Sequence, residues 1–112
     1  MTDRELLELA AKAAGYTIEV NGHDINGYDW YWCHQIANNW NPLTNDGDAL
    51  RLAVKVGLLI GIEEKKMLSY VAHEETKVFA EVPYDDAINF DPYAATRMAI
   101  VLAAAEIGKE ME

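Results

Sequence analysis

The residues of this chain that could do chemistry are three histidines, one cysteine, three tryptophans and an excess of carboxylates. His23, His34 and His73 are scattered, and no HxxxH, HxH or paired CxxC spacing sets two metal ligands on one element. Cys33 and His34 are neighbours, so on a strand they point to opposite faces and form no local thiol–imidazole pair. The stretch NDGD (45–48) is rich in oxygen ligands but lacks the spacing and the closing Glu of an EF-hand, and it reads as the start of a helix. Asn21-Gly22 and Asn26-Gly27 are turn dipeptides, not a phosphate-binding glycine loop. These spacings predict no enzyme, no cofactor and no metal.

The aromatic residues say more. The segment YDWYWCHQI (28–36) reads as a strand with Tyr28, Trp30, Trp32 and His34 on one face and Asp29, Tyr31 and Cys33 on the other. Tyr28, Trp30 and Trp32, joined by Trp40 from the loop that follows, would line a pocket in which a nucleotide-like ring stacks. The commoner use of such a stripe is core, buried beneath a helix. Glu74, Glu75, Glu81, Asp85, Asp86 and Asp91 form the densest acidic region. Projected along one surface at phosphate spacing they would imitate DNA; otherwise they are a solvated rim.

Composition limits these readings. Hydrophobic residues make up 51% of the 112 and charged residues 25%, as expected for one folded domain over 1–112. Nineteen acids against nine bases give a formal charge of −10. That field repels phosphate backbones, which argues against direct nucleic-acid binding and weakens a nucleotide pocket. It suits a partner that is itself basic. No apolar run approaches the roughly 20 residues of a membrane span, and the acidic amphipathic start MTDRELLELA is neither a secretory signal nor a presequence. A single cysteine makes no internal disulfide and fits a reducing cytoplasm.

The elements that must position these residues are legible in outline. Thr2 and Glu5 form a capping box, Leu6, Leu7, Leu9, Ala10, Ala13 and Ala14 an apolar face, and Gly15 a stop. Tyr16 to Val20 alternates as a strand. A second helix starts near Thr44 or Asn45 and ends at Gly57. Asp48, Arg51 and Lys55 form its polar stripe, and the apolar remainder is wide enough to expect cover on more than one side. LLIGI (58–62) reads as a buried strand, followed by strands over 67–72 and 77–82. Asp91 caps a third helix with Pro92 at its first position. The order αββαβββα predicts an α+β fold, a mainly antiparallel sheet packed with three helices as an α-β-α sandwich.

In RELLELAAKAAGY, WNPLTNDGDALRLAVKVG and AATRMAIVLAAAEIG the chain resembles small phage and prophage proteins that share the "phage ABA sandwich" domain. The resemblance implies a sheet between helical layers, a bacteriophage origin and action inside the bacterial host cell, and it carries over no catalytic residue. Near two places in the last helix where similar sequences have basic residues, this chain has Met98 and Leu102. At about 100° per residue, Tyr93, Ile100, Ala104, Ile107 and Met111 share an arc that should face the sheet, leaving Met98 and Leu102 on the far side. Ala95 and Ala105 flank the pair, and Lys109 closes the row. This face, with Asp85 and Asp86 alongside, is the expected interaction surface for a host or phage protein, or for a second copy in a homodimer. Cover by another part of the same chain is the competing expectation. The leading functional expectation is a non-enzymatic phage accessory protein that modulates a host or defence factor. The alternatives are a nucleotide-type binder or sponge, and an acidic DNA mimic.

Overall fold

The computed structural model describes residues 1–23, 29–85 and 88–111. Asx, Thr and Gly chemistry sets the helix ends where the sequence predicts them. In α1 (Asp3–Ala14) the Thr2 hydroxyl accepts from Glu5 N, and Gly15 closes the helix in the left-handed region. In α2 (Asp46–Val56) Asn45 accepts from Asp48 N, and Gly57 closes it likewise. In α3 (Pro92–Glu110) Asp91 accepts from Tyr93 N. Each such cap contributes about 1 kcal/mol.

The fold is α+β. Between the helices lie β1 (Ile18–His23), β2 (Asp29–Cys33), a two-residue β3 (Asn38–Asn39), β4 (Leu59–Glu63), β5 (Leu68–His73) and β6 (Val78–Pro83). All pairings are antiparallel, and the strands divide into two three-stranded sheets, β1-β2-β3 and β4-β5-β6. The Asn26-Gly27 turn falls outside the described residues. Tight turns after Glu63 and His73 are closed by Met67 (φ 51°) and Lys77 (φ 63°) in the left-handed region.

α3 is the centre of the molecule. It packs against α1, α2, β5 and β6, and Ala95, Ala99, Val101, Ala103, Ala104 and Ala105 are buried around its whole circumference. Small side chains permit this. At Gly108 the approach is closest, because a Cβ there would overlap the Leu9 carbonyl of α1. Further along, the Thr96 hydroxyl donates to Pro92 O and meets Ser69 Oγ on β5 at 2.7 Å.

Several face assignments differ from the sequence expectation. On β2 it is Tyr31 and Cys33 that are buried, while Trp30 stands half exposed and Trp32 is only partly covered. Both faces of that strand are aromatic or apolar, so alternation shows two faces without showing which is core. On α2 Asp48 is buried, whereas Leu50 and Val54 are exposed. The wide apolar surface of this helix is therefore not fully covered. β4 likewise exposes Leu59 and Ile62. Tyr93 and Met111, expected against the sheet, are exposed as well.

Candidate functional site

Two concavities flank the first turn of α2. The larger is a groove of about 800 Å³ between α2, β4 and the start of α3. Leu50, Ile62, Met67, Phe90 and Tyr93 line it, each between 46% and 67% exposed. Its floor includes Ala49, Ile60 and Ile100, and Asp46 and Glu64 add acidic groups to the lining. The backbone presents two of the apolar side chains at a cost. Met67 and Phe90 hold φ of 51° and 55°, and Asn89, next to Phe90, holds 54°. A bulky residue in that region is strained by roughly 1–2 kcal/mol. Phe90 N–H donating to Asp85 O and Tyr84 N–H donating to Met67 O fix these turns.

The smaller concavity, about 530 Å³, lies where β2, β3 and the loop before α2 meet the start of α1. Trp30, Tyr31 and Trp40 supply aromatic walls; Asp3, Asn39, Asn41, Thr44, Asn45 and Asp48 supply polar ones. Asp48 is almost wholly buried. Its Oδ2 accepts from Asn41 N at 3.0 Å and its Oδ1 from Arg51 Nη2 at 2.7 Å. Asn41 Oδ1 accepts from Leu43 N, and Asn45 Oδ1 from Asp48 N. Both asparagine carbonyl oxygens are thus engaged in folding the loop, which leaves their NH2 groups as donors.

Among the described residues, two buried side-chain polar atoms lack a hydrogen-bond partner: Trp40 Nε1 and Tyr84 Oη. Trp40 lines the polar cavity and Tyr84 the apolar groove. Buried polar groups are paired in the great majority of cases. Each of these two residues thus carries an unpaired buried polar atom beside one of the concavities.

The residues singled out from sequence distribute as follows. Trp30 and Trp40 come together in the polar cavity, with Tyr31 in place of Trp32; Tyr28 lies outside the described residues. On α3 the expected interaction face is largely covered by the chain itself: Ala95 and Ala105 are buried, and Met98 and Leu102 are half-buried. The reason is that α3 is an interior helix, so its far side packs within the molecule. Lys109 is exposed. Asp85 is exposed, and Asp86 lies outside the described residues. Of the remaining carboxylates, Glu74, Glu75 and Glu81 are exposed and Asp91 is engaged as the α3 cap.

The reactive side chains are occupied elsewhere. Cys33 is fully buried with Gln35 Oε1 3.8 Å from its sulfur. His34 Nε2 lies 3.6 Å from Glu19, and His73 Nδ1 lies 2.8 Å from the Thr76 hydroxyl. Among the described residues no three His, Cys, Asp or Glu side chains are grouped for a metal ion, and no helix is long and apolar enough to cross a membrane.

Sequence reasoning missed the groove. Its signal was present in the excess apolar width of α2, with Leu50 and Val54 beyond what one buried face needs. The chain matches no family model, no curated protein and no solved structure.

Proposed function

We propose that the chain acts by protein–protein contact, as a non-enzymatic phage accessory protein directed at a bacterial host or defence factor, with the α2/β4/α3 groove as its docking surface. One observation carries this reading: five large apolar side chains, from three elements and two strained turns, converge half exposed on one groove. A contiguous apolar patch of this kind marks an interaction site more often than an inert surface. Arg97, also in the lining, neutralises Asp46; Glu64 and the formal charge of −10 favour an apolar segment flanked by Lys or Arg. The resemblance of the helical segments to phage proteins supplies the bacterial setting.

The test compares two double variants in affinity capture from bacterial lysate, with the captured protein then purified for titration. Leu50→Arg/Tyr93→Arg changes two groove residues that are more than half exposed, so the fold is retained. Loss of two apolar anchors costs about 3 kcal/mol or more, a fall in affinity of over about 100-fold. Met98→Arg/Leu102→Arg is expected to keep any affinity that its folded fraction allows. The reverse pattern would return the interaction surface to α3. Equal capture by both variants, or recovery of the chain alone, would overturn the groove as a docking site.

A further inference from the structure

The polar cavity carries a separate inference, independent of the groove. Its free groups are unusual in sign and arrangement. Its open donors are the NH2 groups of Asn41 and Asn45, whose carbonyl oxygens are already engaged in folding the loop. The cations that could answer a phosphate are committed elsewhere. Arg51 is bound to Asp48, and Arg97 donates to Leu43 O at 2.9 Å and to Asp46 at 2.6 Å. Two carboxylates, Asp3 and Asp48, line the same space. Arg51 offsets Asp48, which leaves Asp3 as the uncompensated charge of the lining, and a phosphorylated or otherwise anionic ligand would find no free cation there.

The aromatic walls complete the chemistry. Trp40 is held edge-to-face against Tyr16, with ring centroids 5.8 Å apart, so its ring is fixed. Trp30, half exposed, offers a flat apolar face. A ring with oxygen acceptors at its edge and a stackable face fits both halves of this lining. A volume of about 530 Å³ is within the range of small-ligand pockets.

We propose that this cavity binds an uncharged, oxygen-rich ring, a nucleoside or a neutral sugar, stacked on Trp30, hydrogen-bonded by Asn41 and Asn45, and walled by the fixed Trp40 ring. The asparagine amides donate to ring or hydroxyl oxygens. Asp3 accepts from a hydroxyl.

Side-chain NMR tests the proposal on the intact chain. Indole and amide NH signals are followed while adenosine, uridine, glucose and N-acetylglucosamine are added separately to about 10 mM, enough to saturate a millimolar site. The expected result is one saturable curve, for a nucleoside or for a sugar, shared by the Trp30, Asn41 and Asn45 signals and absent from Trp32. AMP and UMP are expected to bind at least about tenfold more weakly than their nucleosides. Trp30→Ala removes a half-exposed ring, keeps the fold, and should weaken binding at least about tenfold. No saturable shift with any of the four compounds, or unchanged affinity in Trp30→Ala, would overturn the proposal. The groove variants Leu50→Arg/Tyr93→Arg should leave these curves unaltered, so failure here and failure of the docking surface are read separately.

Discussion

Replacing Tyr84 by phenylalanine should make the free protein more stable and leave its docking unchanged. Tyr84 is 7% exposed, and its hydroxyl is buried without a partner. A buried hydroxyl that has left water and found no partner costs about 1–3 kcal/mol. Phenylalanine fills the same site except for one oxygen, and the small void it leaves returns part of the gain. The expected net effect is about 1 kcal/mol of stabilisation, or roughly 4 °C in Tm for a domain of this size. Thermal unfolding followed by circular dichroism, with urea unfolding as a second measure, reads it directly. The hydroxyl is closed off from the open space of the groove, so the same variant should dock as the parent does. A Tyr84→Phe protein less stable than the parent would refute the reasoning, because the hydroxyl would then already be satisfied in the free protein. Binding weakened about five- to tenfold, the loss of one hydrogen bond, would show instead that docking opens the groove to the hydroxyl.

Two further predictions test what positions the sites. Gly108→Ala, which helix propensity alone would make stabilising by about 1 kcal/mol, should instead destabilise by about 1–3 kcal/mol, because the added carbon overlaps the Leu9 carbonyl. A thermal melt at or above the parent Tm would show that α1 is not seated on α3. Asp48→Ala should cost about 2–3 kcal/mol by stripping Asn41 N and Arg51 of their acceptor. Urea unfolding measures that cost, and a change under about 0.5 kcal/mol, typical of an uninvolved surface site, would show the carboxylate to be dispensable.

How much of this was legible in the sequence depends on whether the deciding interaction is local. Thr2, Asn45 and Asp91 cap their helices through atoms two or three residues away, so their roles can be read along the chain. The α+β class and the order of elements follow from the same local chemistry. Facing is different. On α3 apolar residues run right round the helix, and a wheel drawn from Ile100 has no preferred direction to find. Burial of Ala95 and Ala105 is decided by α1, α2 and the second sheet together. On β2 the choice between Trp30/Trp32 and Tyr31/Cys33 as the inner pair was likewise settled by tertiary packing. Trp30 and Trp40 were legible as aromatic anchors, but Asn45 and Asp48 looked like helix-start chemistry alone, and Asn41 was only a loop residue. Asn45 and Asp48 serve the helix start and, with Asn41, line the cavity as well.

That double use explains the character of both sites. The first turn of α2 lies between them: Asn45 and Asp48 line the polar cavity, while Asp46, Ala49 and Leu50 line the groove. A turn shared by two concavities must be held rigidly, and it is tied on both sides. Asp48 accepts from Asn41 and Arg51, and Arg97 from α3 grips Asp46 and the Leu43 carbonyl. The Arg97 side chain is only 18% exposed, so its charge is used up inside the structure. With Arg51 and Arg97 both committed to carboxylates, neither concavity keeps a free guanidinium from this turn. The polar cavity is left with neutral donors beside Asp3, and the groove with Glu64. The proposed uncharged ring in one and the proposed basic-flanked segment in the other both rest on the same pair of arginines.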